Sequence, residues 1–384
     1  MNTTVEAIDH LSADHLSIDS RGRKPAEIRI AHHVTQISYE LHKFLTISAQ
    51  TLRLLGYRGT LGRTVRALVV TNMWPSPAHP ESGIFVADQV DSLRKAGANV
   101  EVFAFEGGTP LSYLKAFVTL KRRNAQRYDI VHAHFGLSAW VALAAKARVR
   151  AVTFHGTDLE HPRSRRISMA ALRFIDLPAA ASERLIGRIP VTPKRPTPIA
   201  LPCGISTERF SPIDRTTARD SLGLPHDERL ILLPSDPTRP EKRADRARLL
   251  CERTGSRLIT LGGIAPAEVN LYINAADLVV IPSEREGFGL ALLEALACDV
   301  PVFSTPNGIA PEALEGVDGT LCSAWDLDKW SEAALVPLSS PTRINGRTSA
   351  SRWSSDTAAT AVLEAWRSAL KAAKAAPMPA GTSV

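Results

Sequence analysis

Apolar residues in this chain fall in short unbroken runs, and most runs end in polar residues or glycine. Residues 67–72 (ALVVTN), 100–105, 129–133, 230–233 (LILL), 278–281 (LVVI) and 300–304 are of this kind. Runs of this length without alternation predict strands buried on both faces, the signature of a parallel sheet. Between them lie stretches with apolar residues at helical spacing. Residues 84–95 form one, stopped by Gly97. Others are 111–127, 290–298, 325–335 and 356–374. Strand and helix alternate along the chain, which predicts an α/β fold built on parallel strands.

Residues 281–307, IPSEREGFGLALLEALACDVPVFSTPN, concentrate the chemistry. A strand ends at 281, a polar loop carries Glu284 and Glu286, and Gly287, Phe288 and Gly289 lead into a helix from Leu290. A helix that starts directly after a strand presents unpaired N–H groups and partial positive charge, and flanking glycines let a ligand approach the backbone. The arrangement favours a phosphate. Glu294 lies a little over two turns from Glu286, so the two carboxylates bracket the helix start and can accept from sugar hydroxyls. Spacing alone leaves a second reading equally open, that of solvated surface glutamates on an ordinary helix.

Composition narrows the classes. A chain of 384 residues with 44% hydrophobic content is long enough for two buried cores. Four cysteines (203, 251, 298 and 322) are widely spaced, which argues against a zinc site or a disulfide framework and suits a reducing cytoplasm. No apolar run has the length of a membrane span or a signal core. The net charge of +7 is compatible with phosphorylated ligands or an anionic membrane surface. Basic residues are not interleaved with aromatics, and no nucleic-acid partner is expected.

Glu286, seven intervening residues and Glu294, followed by EALACDVPVFSTPNGIAPEAL, resemble the donor-binding signature of the retaining glycosyltransferases of family four, which have the GT-B fold. Further matches occur in order along the chain. They are Gly83, His134 at the end of a strand, the loop His155-Gly156-Thr157-Asp158, and IALPCGISTERFSP with Gly204 and Phe210. Arg239 and Lys242 follow, then Gly308 and Glu312. The resemblance covers residues 66–372 and implies two Rossmann-like domains facing across a cleft. It implies transfer of a hexose from a nucleotide diphosphate sugar to a hydroxyl acceptor, a glycan or a lipid-linked sugar, by a front-face mechanism. Glu286 would position the donor sugar, with His134 orienting its hydroxyls from the opposite domain and His155 ranked below it. Lys242 and Arg239 would hold the charge of the leaving diphosphate. Glu294 would bind the ribose, the backbone of Gly287, Phe288, Gly289 and Leu290 would face the diphosphate, and Gly83 would lie against the donor phosphate. No metal or other cofactor is expected.

The expected organisation is an extension over 1–62, partly disordered, a first domain over 63–200 on the acceptor side, and a donor domain over 201–350. A helix over 351–374 crosses back to the first domain, and 375–384 is a disordered tail. The extension contains a basic segment with helical spacing, read as a helix packed on its own protein or an unstructured leader rather than a membrane anchor. The basic helix at 111–127 likewise reads as the outer layer of a sheet. The segment between Lys242 and Glu286 is shorter than the family pattern, so the second domain is expected to lack one βα unit. Alternatives that keep the same cleft are a nucleotide-sugar epimerase or phosphorylase, or a catalytically weak subunit that works with a partner. Cytoplasmic location, with peripheral contact at the inner membrane face, completes the expectation.

Overall fold

The computed structural model describes residues 64–123, 126–193 and 195–375. The extension over 1–62 and the tail beyond 375 lie outside the described residues. From Thr64 onward the chain forms one compact unit that holds two all-parallel sheets.

The first sheet has six strands in the order β2-β1-β3-β4-β5-β6. These are β1 (Arg66–Thr71), β2 (Asn99–Ala104), β3 (Arg127–His134), β4 (Lys146–Phe154), β5 (Leu177–Ala180) and β6 (Ile199–Ala200). Alternate side chains leave a strand on opposite faces. In β1, Ala67 and Val69 pack with the helices Ile84–Lys95 and Ser355–Ala375, through Val86, Val90 and Trp366. Leu68 and Val70 point the other way, into the layer built by the helices Pro110–Arg123, Ser138–Ala142 and Pro162–Ala171. The 111–127 helix is therefore shorter than its pattern predicts. It stops at Arg123, and Arg127 already pairs with Lys146 in the sheet.

The second sheet has five strands, β11-β10-β9-β7-β8. They are β7 (Leu230–Leu233), β8 (Arg257–Thr260), β9 (Leu278–Ile281), β10 (Val302–Ser304) and β11 (Leu321–Cys322). Ile231 and Leu233 face the helices Ala244–Thr254 and Leu327–Ser339, while Leu232 and Val279 face the helix Leu290–Ala297. Only β8 and its flanking helices separate β7 from β9, and β8 is the edge strand. One apolar cluster runs without a break from Leu68 and Phe154 in the first sheet through Cys203, Ile205 and Phe210 to Phe288 and Leu293 beside the second. That shared core is why the two sheets form one unit.

Both sheets reverse strand order at one point, and ligands bind outside the carboxyl ends of strands at such points. In the first sheet the point lies between β1 and β3, where Thr71 pairs with His134. In the second it lies between β7 and β9, whose loops carry Arg239, Lys242 and Glu286.

Candidate active site

A cleft of about 370 Å³ opens between the two sheets. Ile84, Phe85 and Asp88 line it from the first sheet's side, Gly204 and Arg209 from the connecting segment, and Ser235, Arg239, Leu290, Ala291 and Glu294 from the second. Five of the residues singled out by the sequence, Gly204, Phe210, Arg239, Leu290 and Glu294, thus share one cavity.

The floor of the cleft is the start of the helix Leu290–Ala297. Gly289, its cap, has φ of 109°, a left-handed conformation that favours glycine. Among the described residues nothing accepts from the N–H groups of Gly289, Leu290 and Ala291. Unpartnered amides at a helix start form an anion receptor. Phe288, in contrast, is 5% exposed and belongs to the shared core. Its ring anchors the loop, and its carbonyl accepts from Ile309.

Lys242 and Glu286 are brought together although 44 positions separate them. The Lys242 Nζ lies 2.8 Å from each carboxylate oxygen of Glu286, and the side chains are 17% and 12% exposed. Each satisfies the other's charge. Arg239 bonds Glu241 and remains more than half exposed.

Gly287 packs against the first domain. A Cβ there would sit 2.2 Å from the His155 carbonyl oxygen, and a Cβ on Gly156 would sit 2.8 Å from the Gly287 Cα. Glycine is required on both sides because two backbones touch. Exchanging Gly287 for alanine should cost about 1–3 kcal/mol, since the obstacle is backbone and cannot rotate away. Urea unfolding measures this, and a wild-type midpoint would mean that the two loops do not meet.

Three histidines form a row. Trp366 Nε1 donates to His132 Nδ1 at 3.1 Å, and His132 Nε2 bonds Thr153 at 2.8 Å. His132 stacks on His134, whose Nδ1 is 3.0 Å from His155 Nε2. His155 Nδ1 in turn lies 3.5 Å from the Cys203 sulfur. Burial pulls all three imidazoles below the usual histidine range, His134 to about 4, so they are neutral near pH 7.

Neither His134 nor His155 lines the cleft, and packing treats the two differently. His134 is 1% exposed and its Nε2 is sealed without a partner, whereas His155 is half-buried between Phe85 and Phe135. Asp158 holds the loop that presents it, accepting from the amides of Gly136, His155 and Gly156 at 2.9, 3.2 and 3.0 Å. Gly83 caps the helix Ile84–Lys95 with φ of 68°. A Cβ there would fall 2.3 Å from the Met73 carbonyl oxygen, so the turn itself requires glycine.

Two further cleft residues were not singled out by the sequence, although Arg209 falls within IALPCGISTERFSP. Asp88 and Arg209 form a two-point ion pair at 3.1 and 2.6 Å across 121 positions. Near them is Glu294, whose carboxyl burial pushes up to about 7. The Arg209 guanidinium opposes the shift, and the Asp88 carboxylate adds to it. Among the described residues, no group of three His, Cys, Asp or Glu side chains is arranged to hold a metal ion.

Residues 225–339 match the family described as Glycosyl transferases group 1. Among curated relatives, the D-inositol 3-phosphate glycosyltransferase of Segniliparus rotundus is 27% identical over 77% of this chain and 77% of its own. The protein of the same name from Actinosynnema mirum is 29% identical over 56% of this chain, which spans 66% of that relative's length. Among solved structures, sucrose-phosphate synthase from Thermosynechococcus elongatus superposes with a TM-score of 0.61 at 22% identity. The match covers 81% of this chain and all of that one. Anabaena HepE in complex with UDP and glucose superposes at 0.60 with 16% identity, over 79% of this chain and 100% of that one. With these relatives, its group 1 domain and its two facing parallel sheets, the chain is a glycosyltransferase of the GT-B type.

Proposed function

We propose that this protein transfers a hexose from a nucleotide diphosphate sugar to a hydroxyl acceptor, a glycan or lipid-linked sugar, with retention at the anomeric carbon. The observation that carries the reading is the convergence, in one cleft, of unpartnered helix-start amides with Arg239 and Glu294. A diphosphate on those amides has a cation beside it and a carboxyl group one helical turn further on for ribose hydroxyls. The curated relatives are named for an inositol phosphate and HepE was solved with UDP and glucose, which makes those compounds the first probes.

The reaction follows a front-face route. The leaving diphosphate takes the acceptor proton, and its growing charge is met by the amides of Gly289 to Ala291, by Arg239 and by Lys242. Glu286 positions the donor sugar, with Lys242 holding the carboxylate in place. A double displacement needs an activated nucleophile on the opposite face. Cys203, beside His155, is buried and its thiol is pushed up to about 12, so it supplies no thiolate. No divalent ion is required in this scheme, because fixed cations and amides do that work. The four free thiols fit a reducing cytoplasm.

Titration calorimetry with UDP, GDP and ADP, each with and without magnesium, tests the reading. One nucleotide should bind, equally well without the metal, and its hexose conjugate should yield product of unchanged anomeric configuration. Absence of binding by all three would overturn the proposal.

A further inference from the structure

We infer that a cavity beside the second sheet, between Arg215 and Arg343 and separate from the cleft, binds the phosphate ester of a small sugar or polyol. The cavity measures about 310 Å³, at the lower end of the range for small-ligand pockets. Residues 212–215, Ala276, Asp277, Pro301 and residues 341–343 line it. Asp277 directly precedes β9, and Pro301 directly precedes β10. The cavity therefore sits at the amino ends of these parallel strands, whereas the cleft lies at the carboxyl ends.

Two guanidinium groups are anchored there on one side and free on the other. Arg215 donates through Nε to Asp277 at 2.6 Å, and Arg343 donates through Nη2 to the carbonyls of Ile213 and Asn274 at 2.9 and 2.8 Å. Among the described residues, Nη1 and Nη2 of Arg215 and Nε and Nη1 of Arg343 have no partner, and Arg343 forms no ion pair. Desolvation lowers the Arg343 pKa, and the Arg215 cation acts in the same direction. Cations held in place with unused N–H groups suit the oxygens of a phosphate.

The neighbouring carboxylates do not cancel this charge. Asp277, whose side chain is fully buried, accepts from Arg215, Arg219 and the Leu230 amide, so two arginines already match it. Asp299 accepts from the Arg347 amide. Asp214 uses one oxygen for Thr217, which leaves its other oxygen and the Thr342 hydroxyl without a partner among the described residues. These groups suit the hydroxyls of the same ligand. Pro212, Pro301 and Pro341 wall the cavity, and no aromatic ring lines it, so a nucleobase finds no stacking face.

Titration calorimetry of the full chain with glucose 6-phosphate, inorganic phosphate and glucose tests the inference. Glucose 6-phosphate should bind more tightly than phosphate, and glucose should not bind. Arg343→Gln should weaken the ester roughly 10-fold or more. Thr342→Glu sets a carboxylate beside the guanidinium groups at an exposed position that makes no hydrogen bond, so it should abolish binding and leave the fold intact. Arg239→Gln, in the cleft, should leave the affinity unchanged. No binding of glucose 6-phosphate overturns the inference, as does wild-type affinity in either Arg343→Gln or Thr342→Glu. Loss of binding in Arg239→Gln alone would place the ester in the cleft and overturn it as well. Equal affinity for inorganic phosphate would overturn the assignment to a sugar or polyol ester.

Discussion

Replacing Lys242 with alanine should lower the transfer rate about 10²–10³-fold, the usual loss when one preorganised donor to a developing anion is removed. The ammonium lies 2.8 Å from both oxygens of Glu286 and is largely shielded from water. Its removal also leaves the Glu286 carboxylate unpaired in a confined site, a second effect that should cost about 2 kcal/mol of stability. The two are separable. Glu286→Gln keeps an amide oxygen to accept from Lys242, so its urea midpoint should stay near wild type while turnover falls. Lys242→Arg restores a cation and should recover stability ahead of rate. Wild-type turnover in Lys242→Ala, with only the stability change present, would reduce the pair to a structural contact and remove both residues from the proposed chemistry.

Glu294 should make stability depend on pH in the direction opposite to an ordinary ion-paired carboxylate. Its folded-state pKa is raised from 4.5 to about 7, chiefly by burial. The folded state then holds a proton that the unfolded chain has released, so the contribution is fully present below about 4.5 and is lost as pH rises through about 7. The span corresponds to about 3 kcal/mol. Glu294→Gln, which cannot ionise, should match wild type near pH 4.5 and exceed it by roughly that amount at pH 8. Urea midpoints of both proteins across this range decide it. Parallel curves would show that the carboxyl reaches enough water to titrate normally. The same exchange should weaken nucleotide binding if the group serves the ribose, a readout that burial alone does not move.

The agreement between sequence and structure is uneven for identifiable reasons. The strand ends and the Gly287–Leu290 turn were legible because they depend on neighbours within a few positions. The helix at 111–127 was legible as a helix, but its covered face was not, since its hydrophobic spacing is shared by both its faces and only the sheet's position decides which face is covered. His134 and His155 follow the same strand-end rule, and nothing local separates them. The difference came from Phe85 and Phe135 on one and full enclosure of the other.

The sequence by itself determined that this is an α/β protein of parallel strands with a glycine-flanked helix start near Gly289, because apolar run length, glycine placement and helix periodicity act over a few residues. Tertiary structure alone decided that Lys242 meets Glu286, that Asp88 meets Arg209, and that Glu294 is desolvated. Those outcomes depend on how the two sheets close over a common core. Pairing and dielectric are set by distances between segments, which no local pattern records.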